Sequence, residues 1–290
     1  MAEIKAFYDE TTGTVSYIVS DPTTHEAAFI DPILDFDAPA ACLQTTSVDA
    51  MLTYADEHRL KIVWSLETHI HADHLSASDY VREKTGAKIG IGELVSEIQT
   101  GFGKFFNLDA KDIEGGLFDA LFTDGDTFQI GELDVRVLHT PGHTPACVTY
   151  LVDASAAFVG DTLFMPDYGS ARADFPGGDA KVLYESIRKI LSLPSQTQVF
   201  VAHDYLSSDR PDPAWVSTVE EQARENIHAN RNIDERQFVD LRVNRDAELK
   251  APKLILPSLQ VNIRAGQLPI AEADGTHYLK LPINRFGTTN

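Results

Sequence analysis

The sequence predicts a layered α/β protein, and three observations carry that prediction. Short apolar runs of strand length recur along the chain: "KIVWSL" at 61–66, "LDVRVL" at 133–138, "CVTYLV" at 147–152, "AAFVG" at 156–160 and "QVFVA" at 198–202. Helical patterns such as "DAKVLYESIRKIL" at 179–191 fall between some of them. Four of the runs lead into a histidine or an aspartate, and strand ends are where α/β layers gather chemistry.

Taken in order, "IKAFY", "TVSYIV" and "EAAFID" read as strands separated by turns at Thr12-Gly13 and Asp21-Pro22. Residues 47–59 read as a helix capped by Ser47, with Val48, Met51, Leu52 and Ala55 on its apolar face. Another helix is expected in the first turns after His74. From about Ala214, "AWVSTVEEQARENIHANRN" reads as an amphipathic helix, and a second helical stretch runs to about Leu249. The Pro-punctuated tail beyond it reads as extended. No linker, repeat or low-complexity tract divides the chain. Residues 1–290 are therefore expected to form one domain, a core over about 1–210 with an extension, 211–290, packed on it.

Lys and Arg number 24 against 44 Asp and Glu, a formal net charge of −20. A surface of that sign repels phosphate backbones and anionic lipid, which argues against nucleic acid and membrane as partners. No apolar run approaches the roughly 18 residues of a membrane span. The start "MAEIKAFYDE" has no leader character, and two cysteines, Cys42 and Cys147, suggest a reducing compartment. The expectation is a cytoplasmic protein.

"THIHADH", residues 68–74, places three of the ten histidines directly after the strand 61–66. In an extended segment His69, His71 and Asp73 would face one way, with His74 adjacent. The spacing is not that of a zincin helix, which sets two histidines four apart. His143 follows the strand 133–138, Asp161 follows 156–160, and His203 follows 198–202. If these strands share one sheet, their ends converge on one edge. Imidazoles and carboxylates without a thiolate cluster suit zinc, iron or manganese with open coordination positions, and not a closed structural zinc. The pattern is that of a metal site.

The stretches "HIHADH", "TPGHT", "GDTLF" and "AHDY", in that order, resemble the metallo-β-lactamase superfamily over roughly residues 10–210. The resemblance implies an αββα four-layer sandwich with the metal at the edges of two sheets. Within it, "LETHIHADHLSAS", "HTPGHTPACVTYLV", "GSARADFPGG" and the tail "LPSLQVNIRAGQLP" resemble the bacterial persulfide (sulfur) dioxygenases, relatives of glyoxalase II. Residues 101–116 look like an addition relative to the mitochondrial branch. The resemblance implies one Fe(II) per chain held by His69, His143 and Asp161, the two-His, one-carboxylate set of non-haem iron oxygenases. It implies that glutathione persulfide is oxidised with O2 to sulfite and glutathione, in a homodimer, with a sulfurtransferase as possible partner. His71, Asp73, His74 and His203 would then orient ligands or handle protons. The same residues complete two metal sites in hydrolytic relatives, so a hydrolase of glyoxalase II or thioesterase/lactonase type over two Zn(II) is the alternative.

Arg172 and Tyr205 fall where the family binds glutathione; the competing reading of Arg172 is an ion pair with Asp174. Lys253 and Arg264 in the tail are weaker candidates for the same contact and read rather as surface charges, and Cys147 reads as a small buried hydrophobe. Gly142 and Pro141 are expected to form a tight turn that aims His143. His25, His58, His139, His228 and His277 stand outside any motif.

Overall fold

The computed structural model describes residues 1–109, 113, 116–207 and 210–285. β1 (Glu3–Asp9) and β2 (Thr14–Ser20) form an antiparallel hairpin in which Gly13, at φ +74°, takes the left-handed position of the turn. β3 (Glu26–Ile30) continues the sheet, while β4 (Ile33–Asp37) and β5 (Cys42–Gln44) turn away from it as a short hairpin. After α1 (Thr46–Glu57), β6 (Lys61–Leu66) pairs parallel with β3. β7 (Leu75–Ser76) joins β4, and α2 (Ser78–Thr85), β8 (Lys88–Gly92), α3 (Val95–Phe106) and β9 (Ala120–Phe122) follow. The first sheet runs β1-β2-β3-β6-β8-β9, with β3, β6, β8 and β9 parallel.

The second sheet is built from β10 (Thr127–Ile130), β11 (Leu133–His139), β12 (Val148–Val152), β13 (Ala156–Phe158), β14 (Gln198–Phe200) and β15 (Val216–Thr218), side by side in chain order. Only the β13–β14 pair is parallel, because α4 (Ala180–Leu191) crosses over between them. α5 (Val219–Glu225), α6 (Glu235–Asp246) and α7 (Ile255–Asn262) complete the described elements.

Alternation along β2 explains the layers. Val15, Tyr17 and Val19 face Val135, Val137, Tyr150 and Phe158 of the second sheet, in a core between the two sheets. Ile18 faces the other way, with Phe29, toward Val48 and Met51 of α1 and Val81 of α2. On the far side, Leu151, Ala157 and Val199 pack on Leu183 and Ile187 of α4 and Phe238 of α6. Helices cover both outer faces, which is the αββα sandwich the resemblance implied. Val219, Phe238, Leu259, Val261 and Ile263, all beyond residue 210, are buried in these cores. No helix among the described residues is long and apolar enough to cross a membrane.

Several expectations are corrected. The four site-bearing strands do not share a sheet: β6 lies in the first, and β11, β13 and β14 in the second. Their ends still meet, because Val15 N donates to Ala202 O at 2.7 Å and Val148 N to Thr68 O at 2.9 Å across the seam. Ser47 does not cap α1; the helix begins one residue earlier, and Ser47 N and Oγ both donate to Asp35. Residues 216–218 are an edge strand, β15, so the helix expected from Ala214 begins only at Val219, under a capping box of Thr218 and Glu221. The tail is not wholly extended, since "ILPSLQVN" forms α7. Of the segment 101–116, residues 101–106 close α3, while 110–112 and 114–115 lie outside the described residues.

Candidate metal centre

The loop after β6 is pinned before it reaches its histidines. Thr68 donates from N and Oγ1 to the two oxygens of Asp31, each at 2.7 Å, and Asp31 follows β3. Thr68 Oγ1 also lies 3.0 Å from His69 Nδ1, so the Nε2 edge of His69 points away from the backbone. The turn Gly160–Thr162 carries Asp161 against this loop; Gly160 takes φ +54°, and a Cβ there would stand 2.6 Å from Thr68 Oγ1.

His143 is aimed by the turn its sequence suggested. Gly142 has φ +124°, and a Cβ on it would fall 2.2 Å from the backbone N of Leu183 in α4. Asp179, which caps α4, donates its N–H to Gly142 O. His143 Nδ1 lies 2.7 Å from Arg172 O; a carbonyl only accepts, so Nδ1 donates and the Nε2 edge is the one turned toward Asp161. His143 Nε2 is 3.6 Å from Asp161 Oδ2, and His69 Nε2 is 3.9 Å from the same oxygen. These separations are too long for hydrogen bonds and short enough for three atoms to share one cation.

His71, Asp73 and His74 form a second group, and Asp31, Glu67 and His71 a third. The alternation expected for an extended segment is therefore corrected: His69 joins His143 and Asp161, while His71 and Asp73 turn to other partners. His203 connects the first two groups. Its Nδ1 is 2.7 Å from Asp161 Oδ1 and its Nε2 2.6 Å from Asp73 Oδ2, with Thr14 Oγ1 at 3.0 Å.

Charge distribution follows from these contacts. Burial works against a charged His203, but the Asp161 and Asp73 carboxylates override it and raise the imidazole to about 10. Burial works against the Asp161 carboxylate too, yet His203 beside it keeps that group well below the usual carboxylate range. Burial, then the neighbouring His71, lowers His69 well below its ordinary value, and the same two causes bring His74 to about 4. His69 and His74 are thus neutral, with lone pairs to offer. His74 Nδ1 faces Leu75 O, and its Nε2 is a buried atom without a hydrogen-bond partner. His71 Nδ1 likewise has no hydrogen-bond partner, while its Nε2 lies 3.1 Å from Asp31 Oδ1 and 3.4 Å from Glu67 Oε2. Orphaned buried donors of this chemistry fit a cation.

A cavity of about 960 Å³ opens onto Asp73, His74, His143 and Asp161. Arg172 and Tyr205 both line it. Arg172 makes the ion pair with Asp174, at 2.5 and 2.6 Å, and donates to Lys250 O. Tyr205 is 43% exposed, and its ring stacks on His203 at 5.2 Å. Lys253 is exposed, as expected, and lines the cavity with Arg245 and Lys250. Arg264 is buried and donates to Gln260 O, far from the surface role expected of it. Cys147 is buried against Thr144, and burial pushes its thiol up to about 12.

Two positioning groups carry no local sequence signal. Asn262, at the end of α7, donates from Nδ2 to His71 O and His74 O and accepts from Ser76 N. Arg242 and Asp246 of α6 pair in the interior and hold the "SARADF" segment, Arg242 by Ser170 O and Asp246 by Ala173 N.

An αββα sandwich with imidazoles and carboxylates converging at the seam of its sheets defines a metal-dependent enzyme class. The chain belongs to the metallo-β-lactamase superfamily, whose family model matches residues 11–203. It is 52% identical to a "Beta-lactamase hydrolase-like protein" of Agrobacterium fabrum, across 97% of this chain but only 64% of that protein. It is 48% identical to a "Probable metallo-hydrolase" of Burkholderia pseudomallei, over 97% of this chain and 99% of the relative. The mitochondrial persulfide dioxygenase of Homo sapiens is 31% identical over 92% and 91% of the two chains. The crystal structure of ETHE1 from Myxococcus xanthus superposes with a TM-score of 0.73 at 27% identity, covering 91% of this chain and all of that one.

Proposed function

We propose that the protein is a glutathione-dependent persulfide dioxygenase with one Fe(II) per chain, held by His69, His143 and Asp161. The observation that carries the reading is the three-donor group, with two imidazole edges turned toward one carboxylate oxygen and with His143 and Asp161 lining the cavity. The likeness to persulfide dioxygenases in sequence and in structure supports it. Iron in such a set would supply open positions for O2 and for the terminal sulfur of the persulfide. The balanced reaction is glutathione persulfide plus O2 plus water giving glutathione plus sulfurous acid, which ionises to sulfite.

The chain's own residues do the remainder. His203 holds the second oxygen of Asp161, so that Oδ2 alone faces the two imidazoles. Arg245, Lys250 and Lys253, with Arg172, place cations on one side of a cavity also lined by Asp9, Asp35 and Asp37, for the carboxylates of the tripeptide. Tyr205 closes the wall beside His203. We further propose a cytoplasmic homodimer with a sulfurtransferase as its partner.

A second reading keeps a specific observation in its favour. His71, Asp73 and His74 offer a further donor group with orphaned nitrogens, and two relatives of higher identity carry hydrolase names. On that reading two zinc ions supply an activated water to a thioester or lactone. Metal content after growth with both metals, read together with sulfite formation, separates the two. About one iron per chain and sulfite from glutathione persulfide support the dioxygenase; about two zinc with thioester hydrolysis and no sulfite overturn it.

A further inference from the structure

Glu67 is buried at the foot of the histidine loop, an expensive place for a carboxylate without partners. Its Oε1 accepts from the hydroxyls of Ser76 and Ser78. Ser78 is braced in turn by Ser65 Oγ at 2.8 Å. That leaves Oε2 with no hydrogen bond, 3.4 Å from His71 Nε2. Asp31 Oδ1 lies 3.1 Å from the same nitrogen. One imidazole edge is thus shared by two buried carboxylates, each anchored from behind by hydroxyls: Asp31 by Thr68, Glu67 by the two serines.

We infer that Asp31 and Glu67 form a clamp that holds His71 off the His69, His143 and Asp161 donor set, and that Glu67 is a positioning residue that limits the centre to one metal ion. The inference rests on the one-iron reading above. His71 groups with Asp73 and His74 on one side and with the two carboxylates on the other, not with the three donors. Its ring is nevertheless only 4.0 Å from that of His69 and 4.2 Å from that of His74. A small swing would therefore bring His71 to a cation beside either neighbour. Two anchored carboxylates on Nε2 oppose that swing, and loss of one weakens the hold. Losing a partner that orients a metal-ligating histidine commonly lowers metal affinity by about 10–100-fold; Asp31 and Glu67 instead grip the very nitrogen that His71 would offer, so losing one acts in the opposite sense. Here the shift favours occupation of the Asp73 and His74 group.

The test is Co(II) titration of metal-depleted full-length protein, followed by its visible absorption and by bound cobalt after desalting. Wild type should saturate at about one Co(II) per chain, with weak bands of a five- or six-coordinate ion. Glu67→Gln, which keeps the side chain's shape, should take up nearly two, with stronger and shifted bands. Ser78→Ala leaves both clamp carboxylates in place but removes one of the two hydroxyls that anchor Glu67, and should give an intermediate uptake if Glu67→Gln fails to fold. One Co(II) and an unchanged spectrum in whichever of the two variants folds overturn the clamp while leaving the one-iron reading intact. Two Co(II) in wild type overturn both.

Discussion

His203 Nδ1 lies 2.7 Å from Asp161 Oδ1, so one oxygen of the donor carboxylate is committed to a hydrogen bond while the other faces His69 and His143. With Nε2 engaged by Asp73 as well, both nitrogens of His203 are occupied by carboxylates and neither is left for a metal. His203→Gln should therefore retain iron within about twofold of one per chain while losing roughly 10–100-fold in kcat. Elemental analysis beside steady-state kinetics checks this. Complete loss of metal would make His203 a ligand and favour the hydrolase reading.

Gly142→Ala should damage the centre from behind. The new methyl would meet the first turns of α4 at 2.2 Å from Leu183 N, in a backbone conformation that favours glycine. The expected cost is on the order of 1–3 kcal/mol in stability, with looser iron binding as His143 shifts. Thermal unfolding of the apo form and chelator competition of the iron form should move together.

Asn262→Ala leaves His71 O and His74 O without their donors and Ser76 N without its acceptor. About 1–3 kcal/mol of destabilisation is expected, since the groups are buried. Chemical denaturation measures it. An effect within about 0.5 kcal/mol of zero would show that the tail does not brace the histidine loop.

His228 sets a pH dependence away from the metal. Burial, then Arg242 and Arg245 nearby, lower it from 6.5 to about 4, and it accepts from Ser170 N at 3.0 Å. Between those values the unfolded chain binds the proton and the folded chain does not. Its contribution is therefore present above pH 6.5 and is lost as pH falls toward 4. Denaturant midpoints across that window should fall for wild type and fall less for His228→Asn, the difference reaching about 3 kcal/mol.

Much of the site was legible because its strands end in it. Each of β6, β11, β13 and β14 is a short apolar run, and the imidazole or carboxylate after it marks the seam of the sandwich. What periodicity could not reveal was the division of the histidine loop among three groups, because the loop is not extended and Asp31 lies 40 residues before His71 in sequence. Ser47 looked like a cap because capping depends on a hydroxyl at a helix start, yet Asp35 on a neighbouring strand claims it. The prolines of the tail suggested extension, but Pro257 sits in the first turn of α7, where no helical N–H is needed from it. Through that helix the tail reaches the histidine loop, a contact that exists only in the tertiary fold.

The most direct test of the central claim is O2 uptake on adding glutathione persulfide to Fe(II)-loaded protein, with His69→Ala as control. About one O2 consumed per persulfide, with uptake abolished in the control, is the predicted result. No uptake by iron-replete, folded protein would contradict it.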